Sequence, residues 1–193
     1  MQTNKQLSVA GTLSYVTKFI EEAEVARARA RAGRSASVVG GATRRLDKLM
    51  HYLDNMGLQR SVGQRGLHVA MAGTMITRIF DGESDADMEM AMAKHDISSS
   101  RQQLMCITPR RFGKTTAVAM FCAALAVSVP GVVVSIFSTA RRASSLLLQQ
   151  IKSFIHAIPG ASSKIVSSNV ETIVLRDGSF RSKVSSYPGQ AKT

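Results

Sequence analysis

Gly113-Lys114-Thr115 are the residues of this chain whose types and order suit phosphate chemistry. They close the stretch Leu104 to Thr116, Leu-Met-Cys-Ile-Thr-Pro-Arg-Arg-Phe-Gly-Lys-Thr-Thr. A lysine ammonium placed there neutralises outer phosphates, and a threonine hydroxyl beside it holds a magnesium ion. The full phosphate-loop pattern has a glycine five places before Gly113. Thr108 stands at that place, so the match is to the second half of the motif. Arg110 and Arg111 lie in the same loop, where a guanidinium offsets the charge that phosphoryl transfer spreads over equatorial oxygens. Ordinary contact with a phosphate or a DNA backbone suits these arginines equally. The candidate nucleotide-binding residues are Thr108, Pro109, Arg110, Arg111, Phe112, Gly113, Lys114, Thr115 and Thr116, with Thr115 also the magnesium ligand.

Such a loop works only between a strand and a helix. The apolar run Leu104 to Ile107 reads as a buried strand that breaks at Pro109, and the apolar segment Ala117 to Val127 reads as the helix. Loop amides and the positive end of the helix dipole then converge on one spot. Pro130-Gly131 turns the chain. The β-branched run Val132 to Ser138 predicts a strand covered on both faces. A helix follows over Thr139 to Ile158, with Leu146, Leu147, Ile151, Phe154 and Ile155 inward. Lys164 to Val166, Thr172 to Leu175 and Ser179 to Val184 read as short strands, the last two joined by an Arg176-Asp177-Gly178 hairpin turn.

Upstream the pattern is helical. Leu7, Val9, Leu13, Val16, Phe19 and Ile20 recur at helical spacing, and an Ala-Arg repeat after Val25 prolongs that helix to about Gly33. A small-residue linker follows. Thr43 to Asn55 reads as a helix capped by Thr43, with Leu46, Leu49, Met50 and Leu53 on its apolar face and Gly57 as its stop. Another runs from about Leu67 to Phe80. The acidic turn Asp81 to Asp87 lacks the glycine and glutamate of a calcium loop and reads as a helix start, with Met88, Met90 and Met92 behind it. His68 and His95 stand isolated, with no metal set beside them. The expected class is α/β: a P-loop NTPase core with an incomplete parallel sheet over residues 67–193, preceded by a basic α-helical region over residues 1–66.

The chain has 193 residues and a formal net charge of +12, which suits a polyanionic partner. From Arg101 onward twelve Lys or Arg face two acids, whereas Leu67 to Ser100 is acidic. The absence of Trp leaves little for base stacking. Two cysteines in apolar runs, Cys106 and Cys122, argue for a reducing compartment. No charged-then-apolar leader follows Met1, and Pro130-Gly131 divides the apolar stretch Thr115 to Thr139 into pieces too short to cross a bilayer. A soluble, intracellular protein without a membrane partner is expected.

With Thr108-Pro-Arg-Arg-Phe-Gly-Lys-Thr115 in place, the chain resembles the ATPase half of the large terminase subunit. Those proteins are the viral DNA-packaging motors of tailed phages and herpesvirus-like viruses. The family's loop commonly reads Pro-Arg-Arg-x-Gly-Lys-Thr without the leading glycine, which accounts for Thr108. The likeness continues through Ser135-Ile-Phe-Ser-Thr-Ala140, Arg141-Arg142, Asn169 to Leu175 and Ser185-Ser-Tyr-Pro-Gly189, and spans roughly residues 67–193. It implies ATP and Mg2+ as cofactors, Arg110 or Arg111 as the arginine acting in cis on the γ-phosphate, and double-stranded DNA, a portal and a small terminase subunit as partners. A homo-oligomeric ring follows too, in the host nucleus for a herpesvirus-like virus and the host cytoplasm for a phage. A glutamine upstream of the loop contacts adenine in such ATPases; Gln103 and its neighbour Gln102 are candidates. The family's next strand, ending in the Asp-Glu pair that coordinates magnesium and activates water, is expected at about Thr193. The resemblance therefore implies a fragment without those acids and without the nuclease domain. Another P-loop translocase or helicase, and a non-catalytic basic nucleic-acid-binding protein, are the competing readings.

Overall fold

The computed structural model describes residues 41–138 and 140–188. The helix expected before Gly33, the linker after it, Thr139 and the last five residues lie outside them. The described residues belong to one compact unit, Val38–Thr193.

Among the described residues are five α-helices, a short 3-10 helix at Ser162–Lys164 and four strands. Helix α1 spans Gly41–Asn55, α2 Val62–Ile79, α3 Asp85–Lys94, α4 Lys114–Ser128 and α5 Arg141–Ala157. Strand β1 spans Val133–Ser138, β2 Ile165–Ser168, β3 Thr172–Asp177 and β4 Phe180–Pro188. Helix α2 starts five residues earlier than the apolar periodicity suggested. A capping box sets that start: the Ser61 hydroxyl accepts from the Gln64 amide, and the Gln64 side chain accepts from the Ser61 amide. Acids fill the first turn of α3 behind Ser84, as its dipole favours.

The strand order is β1-β4-β3-β2. β1 and β4 are parallel, whereas β3 pairs antiparallel with both β4 and β2. The sheet is thus mixed: β1 and β4 make its parallel part, and the expected hairpin belongs to its antiparallel part. Hairpins explain this: Gly178 takes φ 59° and lets β3 fold straight back into β4. Strand β1 is not covered on both faces. Ile136 is buried, but Phe137 on the opposite face is 63% exposed and stacks on Tyr187, its register partner in β4.

Helix α4 is the centre of the core. Ala119 to Val127 are all buried, because the helix packs chiefly against α5 and α1, with α2, β1 and β4 also in contact. The apolar-all-round pattern therefore marks a helix among helices more than a helix on a sheet. Leu46, Leu49 and Leu53 of α1 lie in the same core as Ile151 and Ile155 of α5, so the core crosses the boundary expected at residue 66. Leu146, expected inward on α5, is 49% exposed, and Leu148 takes the inward place. Among the described residues no helix is long and apolar enough to cross a membrane.

Candidate phosphate-binding loop

Two contacts fix where the loop lies. At one end of α2, Arg78 Nη2 donates to the Gly131 carbonyl (3.3 Å), and the Phe180 ring at the start of β4 flanks the same glycine. At the other end Gln64 Nε2 donates to the Phe112 carbonyl (3.2 Å). Helices α2 and α4 thus run side by side in one direction. The loop before α4 lies beside the start of α2, at the opposite end of α4 from Gly131 and the start of β4.

The segment leading into the loop differs from expectation. Residues 104–107 form no strand and join no sheet. Met105 and Ile107 are 85% and 88% exposed, while Cys106 and Thr108 are half-buried. An apolar run becomes a buried strand only where a neighbouring strand supplies the hydrogen-bonded ladder, and none of the four strands pairs with this segment.

The loop's backbone holds two left-handed positions. Arg111 takes φ 66° and Gly113 takes φ 79°, with Phe112 between them on the ordinary side and Lys114 opening the right-handed helix. Alternation of left- and right-handed residues turns successive N–H groups to one side and makes an anion-binding concavity. A non-glycine residue at positive φ is uncommon and costs about 1–2 kcal/mol, so Arg111 marks stored strain. Gly113 is the N-cap of α4 and supplies no side-chain cap, and no acid stands in the first turn. The helix's first amides and its positive end thus carry no side-chain cap. Lys114, Thr115, Arg110, Arg111 and Pro109 are exposed there, with Phe112, Gly113 and Thr116 half-buried. Gln103 and Gln102 are exposed in the preceding segment.

The residues that hold this loop were not among the sequence candidates. Gln64 is the glutamine against it, and the Ser61-x-x-Gln64 spacing was the signal that could have found it. Gly63 accommodates the Phe112 ring: a Cβ at residue 63 would lie 2.8 Å from it. Behind the loop, His68 is fully buried. Arg60 Nη1 donates to His68 Nδ1 (2.9 Å), so Nε2 carries the ring proton and donates to the Ala117 carbonyl (2.8 Å) in the first turns of α4. Arg60 is itself paired with Asp54. His68 therefore ties the α1–α2 connection to the loop's helix. Cys122 on α4 is buried, which pushes its thiol up to about 12 and leaves it unreactive at neutral pH.

Burial holds the His68 imidazole below its ordinary value; the neighbouring Arg60 adds to this and the Ala117 carbonyl opposes it. The native state thus refuses a proton that the unfolded chain accepts, and stability is lost as pH falls below about 6.5. Urea midpoints measured from neutral pH downward should fall over that range in the wild type. In His68→Gln, which keeps a donor for Ala117 and has nothing to titrate, this part of the slope should flatten.

Comparison of the chain with protein-family models and with curated proteins finds no match for it.

Proposed function

We propose that the loop from Thr108 to Thr116 binds the phosphates of Mg·ATP, and that the chain is the ATP-binding part of a viral DNA-packaging motor of the large-terminase kind. One observation carries the reading: the left-handed positions Arg111 and Gly113 lead without a side-chain cap into a helix that begins Lys114-Thr115. Loop amides hold the phosphates, Lys114 neutralises the outer ones and the Thr115 hydroxyl ligates the magnesium ion. Arg110 or Arg111 reaches the γ-phosphate, where a cation stabilises developing charge. Double-stranded DNA, a portal, a small terminase subunit and neighbouring copies in a ring are the partners this reading brings, and the net charge of +12 suits the first.

Hydrolysis needs a carboxylate within hydrogen-bond reach of the attacking water. Glu171 lies between β2 and β3, and Asp177, at the hairpin end of β3, is held by Lys164 Nζ at 3.0 Å. On the resemblance, which assigns neither acid to the attacking water, the 193-residue chain is expected to bind Mg·ATP saturably while releasing phosphate only slowly. Calorimetry together with a malachite-green phosphate assay measures both. Absence of nucleotide binding overturns the proposal, and rapid turnover overturns its account of hydrolysis.

A further inference from the structure

One side chain outside the loop bonds to its backbone. The Gln64 carboxamide is used at both ends: its oxygen accepts from the Ser61 amide at 3.0 Å, and its nitrogen donates to the Phe112 carbonyl at 3.2 Å. The first contact fastens it to the start of α2. The second fixes the peptide between Phe112 and Gly113. In a trans peptide the carbonyl and the N–H point in opposite directions. Drawing the Phe112 carbonyl toward α2 therefore aims the Gly113 N–H away from α2. The neighbouring glycines make this approach possible. A Cβ on Gly113 would stand 2.6 Å from Gln64 Nε2, and one on Gly63 would press on the Phe112 ring.

We propose that Gln64 is a positioning residue of the phosphate loop, which sets the Phe112–Gly113 peptide in its anion-binding orientation through the Phe112 carbonyl. The inference rests on the phosphate-site reading for its purpose, but not for its geometry.

Gln64→Glu separates loop positioning from helix capping. Glutamate serves the capping box as well as glutamine does, so α2 keeps its start, while the donor to the Phe112 carbonyl is replaced by an oxygen that repels it. Ser61→Ala is the converse, removing a cap and leaving the carboxamide nitrogen in place. Two readouts on the whole chain are required: hydrogen exchange at the Gly113 and Lys114 amides without nucleotide, and calorimetric affinity for Mg·ATP. Gln64→Glu should speed exchange at both amides and weaken Mg·ATP by about tenfold. Ser61→Ala should loosen the first turn of α2 and leave both loop readouts near wild type. Gln64→Met, uncharged and of similar length, should reproduce the loop effects should Gln64→Glu fail to fold.

Unchanged loop exchange in the folded Gln64 variant, or a Ser61→Ala variant that matches it, overturns the inference. Should exchange respond to Gln64→Glu while the wild type fails to take Mg·ATP, the positioning role stands and the proposed function falls.

Discussion

Lys114→Ala is expected to weaken Mg·ATP binding by about ten- to hundredfold while leaving the fold intact. The magnitude follows from losing a charge-assisted contact, worth about 1.5–3 kcal/mol, with each 1.4 kcal/mol a factor of ten. The fold should survive because Lys114 is exposed at the first position of α4 and makes no part of the buried core. Alanine is also the better helix former, so α4 has no reason to fray. Far-UV circular dichroism and a urea titration check the fold, and calorimetry reads the affinity. An affinity unchanged in a folded variant would remove Lys114 from the site. The non-catalytic reading of the basic chain would then gain ground over both P-loop readings.

Leu49→Ala should have the largest effect on stability, about 3 kcal/mol, in the range measured for large-to-small changes at buried leucines. Leu49 is fully buried on α1, within the core that holds Met120 and Leu125 of α4. The consequence reaches past α1. If residues 41–55 are part of the core around the loop's own helix, the variant lowers a single cooperative urea transition for the whole described unit. Two separate transitions, with the α4–α5 part unmoved, would show instead that α1 is an appendage.

Those two expectations bear on different layers of what the amino-acid order reveals. The start of α4 was legible because its signal is local: Gly113 after Pro109 and before an apolar helical run leaves few backbone options. Most helices were legible for the same reason, and the Asp177-Gly178 turn announced its hairpin. Pairing was not legible. Leu104 to Ile107 looks like a strand, but a strand exists only where a neighbour offers a ladder, and no local pattern states that. The β1 run looks doubly covered, yet Phe137 and Tyr187 stack on the open face. What covers the apolar helix α4 was not legible either, because nothing in its own sequence distinguishes a sheet from three flanking helices.

The supporting residues were hidden for a different reason. Gln64 and His68 lie 48 and 49 positions from their partners Phe112 and Ala117, so sequence proximity gave no hint of either contact. Only the Ser61-x-x-Gln64 spacing carried a readable trace, and it spoke of a helix start, not of a loop held from outside. In chains of this kind, a capping glutamine is worth testing for a second bond made by the unused end of its amide.

The central claim is that phosphates are gripped by the backbone between Arg111 and Thr115. An amide-resolved NMR titration of the isotope-labelled chain with a non-hydrolysable Mg·ATP analogue tests it most directly. The account predicts that the Phe112, Gly113, Lys114 and Thr115 amide resonances move most, with saturation at one equivalent. Largest shifts elsewhere in the chain, with these four amides unmoved at saturation, would contradict it.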